Sequence, residues 1–228
     1  MMNPLEGYAF FALTGSEAAI TADIVRGISD IFSHSFGINP QTQEPYRLGP
    51  TTTKKRLMST GHVFVARSTE NEIIAYLYAR VIRSKNGIVV WVDSLAVLPT
   101  HRLKGIATHL VTQLLETIPE SRWIGCATPN PIAAWVITKG VGGTPYLGEC
   151  DPPDEVISMI EHIRPQCPDL QGADFNPTKL LVKTKFTPVM SEDATEWRPP
   201  HPSEPPPWWA SLENLPEDYE ALLIIDRL

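Results

Sequence analysis

The sequence predicts an α/β (α+β) fold, and three observations carry that reading. Residues 87–98 form a run of β-branched and apolar side chains ended by Pro99, the pattern of a buried strand. After a short turn, Ala107, Leu110, Val111, Leu114, Leu115 and Ile118 recur at intervals of three and four, one apolar stripe of a helix. Earlier in the chain, His62–Arg67 and Glu72–Ile82 alternate apolar and polar residues across Thr69-Glu70-Asn71, as two antiparallel strands do.

The remaining elements follow in order. Tyr8–Leu13 reads as a first strand. Thr14 and Glu17 stand at capping-box spacing, so hydroxyl and carboxylate each satisfy an end N–H. Ile20, Ile24, Ile28, Ile31 and Phe32 continue as one helical stripe until Gly37. Ile38–Thr53, rich in Pro, Gln and Thr, predicts a long surface loop. Lys54–Thr60 predicts a short helix whose Lys54-Lys55-Arg56 run is a solvated face. Arg122–Thr128 reads as a fifth strand, and a helix opens at Pro131 and stops at the glycines from Gly140. Asp154–Arg164 has helical spacing, and Leu180–Phe186 and Tyr219–Ile225 are candidate closing strands. Pro199–Pro207 is too poor in N–H donors for helix or sheet and reads as an extended strap, pinned by Trp208 and Trp209. We expect a single domain over residues 1–228, with 144–217 an insertion of short helix and strap before the last strand.

Composition narrows the function. With 228 residues the chain can bury a sizeable core. A formal charge of −7 argues against non-specific nucleic-acid binding, which needs a basic surface, and suits a cationic acceptor. Three cysteines without C-x-x-C spacing point to neither a disulfide framework nor a metal site. No apolar run reaches membrane-span length, and Tyr8–Leu13 is too short for a signal-peptide core. The expectation is a cytoplasmic protein without nucleic-acid or membrane partners, compatible with a homodimer.

The turn before the helix at 107 carries the chemistry. A helix opening directly after a turn aims unpaired N–H groups and the positive end of its dipole forward. Gly105, lacking a Cβ, and the cations Arg102 and Lys104 suit that place to a phosphate. No Gly-Lys-Ser/Thr follows, so it is not a Walker loop, and the glycine spacing is not that of a dinucleotide fingerprint. Arg102-Leu103-Lys104-Gly105-Ile106-Ala107, preceded by Leu95-Ala96-Val97-Leu98-Pro99, closely resembles the acyl-coenzyme A signature of the GCN5-related N-acetyltransferase (GNAT) superfamily.

That resemblance implies a mixed, mostly antiparallel central sheet, splayed between its fourth and fifth strands and flanked by helices. It also implies direct attack of an amine on acetyl-coenzyme A, the co-substrate. By motif position, Arg102, Leu103, Lys104, Gly105, Ile106, Ala107 and Thr108 would cradle the diphosphate. Leu95 and Val97 would offer backbone to the pantetheine arm, and Asn130 would contact the cofactor. Asp93, on the strand face of Leu95, is the candidate base or water-orienting carboxylate, with a purely structural hydrogen bond as the alternative. His101 is a further candidate for the phosphates, or a solvated turn residue. The family's proton-donating Tyr falls at Ile137, and Tyr146 is the nearest substitute. Glu44 and Tyr46, in the loop between the first two helices, would meet a small-molecule or peptide amine. The loss of that Tyr keeps a second reading open: a coenzyme-A-binding or partner-binding module with weak catalysis.

Overall fold

The computed structural model describes residues 5–147, 151–184, 186 and 205–227. In chain order the elements are β1 (Ala9–Thr14), α1 (Gly15–Ile20), α2 (Ala22–Ser35), α3 (Pro50–Met58), β2 (His62–Arg67), β3 (Ile73–Ser84) and β4 (Gly87–Val97). A 3₁₀ turn at Pro99–His101 leads to α4 (Ile106–Thr117), β5 (Ser121–Thr128), α5 (Pro131–Val141) and α6 (Asp154–Ile163). Then come β6 (Asp174–Asn176), β7 (Leu181–Lys183), α7 (Trp209–Glu213) and β8 (Tyr219–Asp226). The strands form one sheet in the order β1-β2-β3-β4-β5-β8-β7-β6, mostly antiparallel, with β4 and β5 parallel. The fold is therefore the mixed, mostly antiparallel architecture the sequence predicts.

By internal contacts the chain divides into two units, the first comprising Met1–Arg80 and Ser94–Pro119. Here the capping box forms as expected: Thr14 accepts from the Glu17 N–H, and the Glu17 carboxylate accepts from Thr14. The single helix expected after it is broken. Thr21 is extended (φ −90°, ψ 101°), its hydroxyl donates to the Glu17 carbonyl at 2.7 Å, and Ile20 is left 76% exposed. The core stripe thus begins at Ile24, and Ile24, Val25, Ile28 and Ile31 pack with Val63, Val65, Tyr76, Tyr78 and Ala96. The next helix starts at Pro50, four residues before the expected Lys54, because buried Thr53 shares a 2.8 Å hydrogen bond with Ser29 of α2. That contact outweighs the poor helix propensity of the Thr51-Thr52-Thr53 run. Gly15 is the tight point of this unit. A Cβ there would stand 2.2 Å from the backbone oxygens of Leu57 and Thr60, where real Cβ atoms do not go.

The second unit comprises Val81–Asp93 and Glu120–Leu228. β8 pairs antiparallel with β5 from Trp123↔Asp226 to Thr128↔Ala221, and β7 pairs with β8 from Leu181↔Ala221 to Lys183↔Tyr219. The two expected closing strands therefore pair with each other, although the first has only three residues. β6 is an addition, too short for periodicity to reveal. Residues 199–204 of the proline-dense stretch, and Lys185, lie outside the described residues. Trp208 and Trp209 are buried, with Trp208 6.4 Å from Trp135 of α5. Among the described residues no helix is long and apolar enough to cross a membrane.

Gly15→Ala forces a side chain onto two backbone carbonyls that cannot move independently. It is expected to destabilise the protein by more than about 2 kcal/mol, read as a lowered melting temperature, while Gly49→Ala, which meets nothing within 4 Å, leaves it within about 1 kcal/mol.

Candidate active site

In the first unit the candidate residues gather at the entry to α4. Gly105 is the residue before the helix and has a left-handed backbone (φ 81°, ψ 1°), with no side chain capping the first turn. Leu103, two residues earlier, also has positive φ (62°) while its side chain is 88% exposed. An exposed leucine in this conformation gains nothing from packing and costs on the order of 1 kcal/mol. Alternation of backbone hand around Lys104 turns successive N–H groups to one side, the concavity that binds anions. Ile106, Ala107 and Thr108 occupy the first turn, whose N–H groups have no partner within the helix. A Cβ on Gly105 meets nothing within 4 Å, so the space in front is open.

Side chains supply the charge around this loop. Lys104 Nζ donates to the Tyr8 hydroxyl at 3.2 Å, and the same hydroxyl lies 3.1 Å from His101 Nδ1. The ammonium is thus tethered beside the turn by a residue that the sequence reading did not single out. Arg102 Nε donates to the Val97 carbonyl at 3.2 Å, clamping the loop to the end of β4. Leu95 and Val97 are half-buried and alternate with buried Ser94 and Ala96. Ser94 bonds the Tyr76 hydroxyl at 3.0 Å on the core side. Glu44 is exposed and Tyr46 half-buried, in a loop that closes on itself through Asn39 N–H to Glu44 O (2.8 Å) and Tyr46 N–H to Gly37 O (3.1 Å). The long open loop expected there is partly a tight turn.

In the second unit the parallel ladder between β4 and β5 runs from Ile88↔Ser121 to Trp91↔Gly125. Both strands continue beyond it, β4 to Val97 and β5 to Thr128, without pairing with each other. Gly125 is required at the last rung, because a Cβ would lie 2.8 Å from the Trp91 ring and 2.9 Å from Ile224 Cδ1. Asp93, half-buried, follows Trp91 by two residues and so falls on the same face of β4. Asn130 Oδ1 accepts from the Ile132 and Ala133 N–H groups at 2.9 and 3.4 Å, so it is the N-cap of α5. Only its amide nitrogen remains for a ligand.

Two positions bear on proton donation. Ile137 is buried at 2% exposure. Tyr146 is placed apart from Asp93: its N–H bonds the Ile224 carbonyl at 2.8 Å and its ring lies 6.2 Å from Trp123, near the start of β5. β8 and β5 lie between its backbone and β4, so the structure does not bring Tyr146 and Asp93 together.

A carboxylate that the sequence reading passed over lies at the other end of β5. Glu220 of β8 is 7% exposed and follows the last β5 rung, Thr128↔Ala221, by one residue. Its Oε1 accepts from the Thr184 hydroxyl at 2.7 Å, and none of the ion pairs among the described residues includes it. Burial raises its pKa from 4.5 to about 7, the Thr184 hydrogen bond opposing and the Asp169 charge adding. Burial also pushes the nearby Cys126 thiol up, with the Glu220 charge contributing. The signal in the sequence was a lone charge inside Tyr219-Glu220-Ala221-Leu222-Leu223-Ile224-Ile225, an otherwise apolar strand.

The profile of the Acetyltransferase (GNAT) family matches residues 25–142. Solved structures with similar folds include a phosphinothricin acetyltransferase of Sinorhizobium meliloti in complex with AcCoA, 18% identical, covering 61% of this chain and 76% of its own, with a TM-score of 0.47. A variant of the spermidine N-acetyltransferase SpeG of Vibrio cholerae is 17% identical over 64% of this chain and 83% of its own, at 0.42. An aminoglycoside acetyltransferase from an uncultured soil metagenomic sample, in complex with sisomicin, is 18% identical over 53% of this chain and 76% of its own, at 0.38. Among curated proteins none matches.

The Glu220 shift has a consequence for stability. Unfolded, the carboxyl loses its proton near pH 4.5; folded, it keeps it to about pH 7. Stability from this group is therefore complete below pH 4.5 and declines as pH rises to about 7, by at most about 3 kcal/mol. Denaturant titrations between pH 4 and 8 should show this slope in the parent and a flatter one in Glu220→Gln.

Proposed function

The chain belongs to the acetyltransferase (GNAT) family, and on that premise we propose that it transfers an acetyl group to a primary amine of a small molecule or peptide. Acetyl-coenzyme A is the co-substrate, and the amine attacks its thioester directly within a ternary complex. The observation that carries the reading is the uncapped first turn of α4 behind Gly105, with backbone of alternating hand on both sides of Lys104. Those donors fit a diphosphate: they are main-chain N–H groups at the positive end of a helix, facing open space.

In this reading Ile106, Ala107 and Thr108 offer N–H groups, and Lys104, steadied by Tyr8, adds a positive charge. Arg102 acts indirectly, by holding the turn against Val97. Leu95 and Val97 present backbone along the pantetheine arm, and the Asn130 amide nitrogen is a further cofactor contact. Asp93 orients the amine or its water. Glu44 and Tyr46 are proposed acceptor contacts. Tyr146 is the weakest assignment, being placed beside Trp123. The whole chain is proposed to work as one cytoplasmic domain with an inserted segment.

A second reading has its own support. Ile137 occupies the place of the family's phenol and is buried, which favours a coenzyme-A-binding module of weak catalysis.

Calorimetry with acetyl-coenzyme A and a thiol-release assay with polyamine, aminoglycoside and peptide amines separate the two readings. The transferase reading expects heat of binding and thiol release with at least one amine; binding without release from any leaves the module. Gly105→Glu places a strained anion at the turn and is expected to weaken cofactor binding about 100-fold. Unchanged affinity in that variant would remove the cradle.

A further inference from the structure

We propose that Glu220 accepts the acceptor's proton in the transfer reaction, an inference that rests on the transferase reading above. Its place in the sheet is the first argument. β8 runs antiparallel to β5, so Glu220, one residue beyond the Thr128↔Ala221 rung, stands at the C-terminal end of β5. That is the end at which β5 no longer pairs with β4. The register also fixes its face. Trp91 and Ile224 both approach Gly125 from one side of the sheet, and strand alternation puts Asp93 and Glu220 on that side. Two carboxylates thus share a sheet face at the ends of parted strands.

The second argument is its partner. A carboxylate held only for structure is ordinarily paired with a cation or several N–H donors. Glu220 has one neutral hydroxyl, that of Thr184, and no ion pair among the described residues. Neighbouring ionisable groups do not change this. Asp169 is acidic, Cys126 is held as a thiol by burial, and Lys183 pairs with Asp218 at 3.8 Å. An ammonium group brought to this end of the sheet would supply a counter-charge that no ion pair among the described residues provides. The carboxyl titrates at about pH 7, where a proton acceptor is most effective near neutrality.

The step balances. The Glu220 carboxylate takes one proton from the acceptor ammonium, directly or through one water. The freed lone pair forms the C–N bond to the acetyl carbon as the C–S bond breaks, and its electron pair leaves on sulfur. The second nitrogen proton passes to that thiolate, and Glu220 returns its own to solvent.

The test is the pH dependence of kcat/KM with acetyl-coenzyme A and whichever polyamine, aminoglycoside or peptide amine turns over. The parent should rise through a limb near pH 7 as Glu220 ionises. Glu220→Gln should lose that limb and at least about 100-fold in kcat, while binding acetyl-coenzyme A with unchanged affinity. Thr184→Val, which removes the hydrogen bond that holds the carboxyl down, should move the limb to higher pH. A merely structural carboxylate predicts an unmoved limb in Thr184→Val, and that result overturns the proposal even if Glu220→Gln fails to fold. Full activity in Glu220→Gln overturns it too, with the transferase reading intact. A parent that binds the cofactor but releases no thiol with any amine removes the transferase reading first.

Discussion

The second unit depends on a ring pressed against a backbone. Trp91 lies where a side chain on residue 125 would have to stand, and Ile224 closes the space from the next strand. Three strands can pack this closely only because the middle one carries glycine at that rung. The contact is the last point at which β4 and β5 pair. Parallel strands send their C-terminal ends to the same edge of a sheet. Beyond that rung no pairing between β4 and β5 is found among the described residues.

In the proposed reading the first unit would hold anionic oxygens largely through main-chain N–H groups rather than side-chain charges. Main-chain N–H groups at a helix start suit that task, because their dipoles are fixed by the helix and need no reorganisation when an anion arrives. The cost appears at Leu103, whose exposed side chain and positive φ are paid for by nothing in its own surroundings. Arg102 and Tyr8 keep the turn in that shape, one through the Val97 carbonyl and one through Lys104.

Much of this was legible where a periodic pattern coincided with one element. The strand through Asp93, the helix through Leu114 and the capping box at Thr14 are local features, decided by nearest neighbours along the chain. What escaped was decided by side-chain contacts that periodicity does not show. Thr53 is helical because Ser29 bonds it, and the break at Thr21 follows its hydroxyl's bond to Glu17, which a stripe of isoleucines conceals. Motif position named Arg102 and Asn130 for the cofactor; what it could not show is that the Arg102 Nε also clamps the loop and the Asn130 oxygen also caps a helix. Proximity in sequence suggested Tyr146, but the chain carries it past β8 to Trp123. Glu220 was hidden because a buried strand pattern tolerates one charge without losing its period.

If Glu220 takes the acceptor's proton as proposed, it would set a physical limit on acceptor choice. The acidic surface attracts any ammonium, but in physiological salt the attraction fades over about 8 Å and cannot tell one amine from another. Discrimination has to come from a group close enough to be desolvated together with the amine. A carboxyl already removed from water has met that cost in folding, and it regains the loss only when a cation arrives. Such a group rewards an acceptor whose nitrogen reaches the end of β5 and returns nothing to one that stops short. On that proposal reach, more than net charge, would separate good acceptors from poor ones.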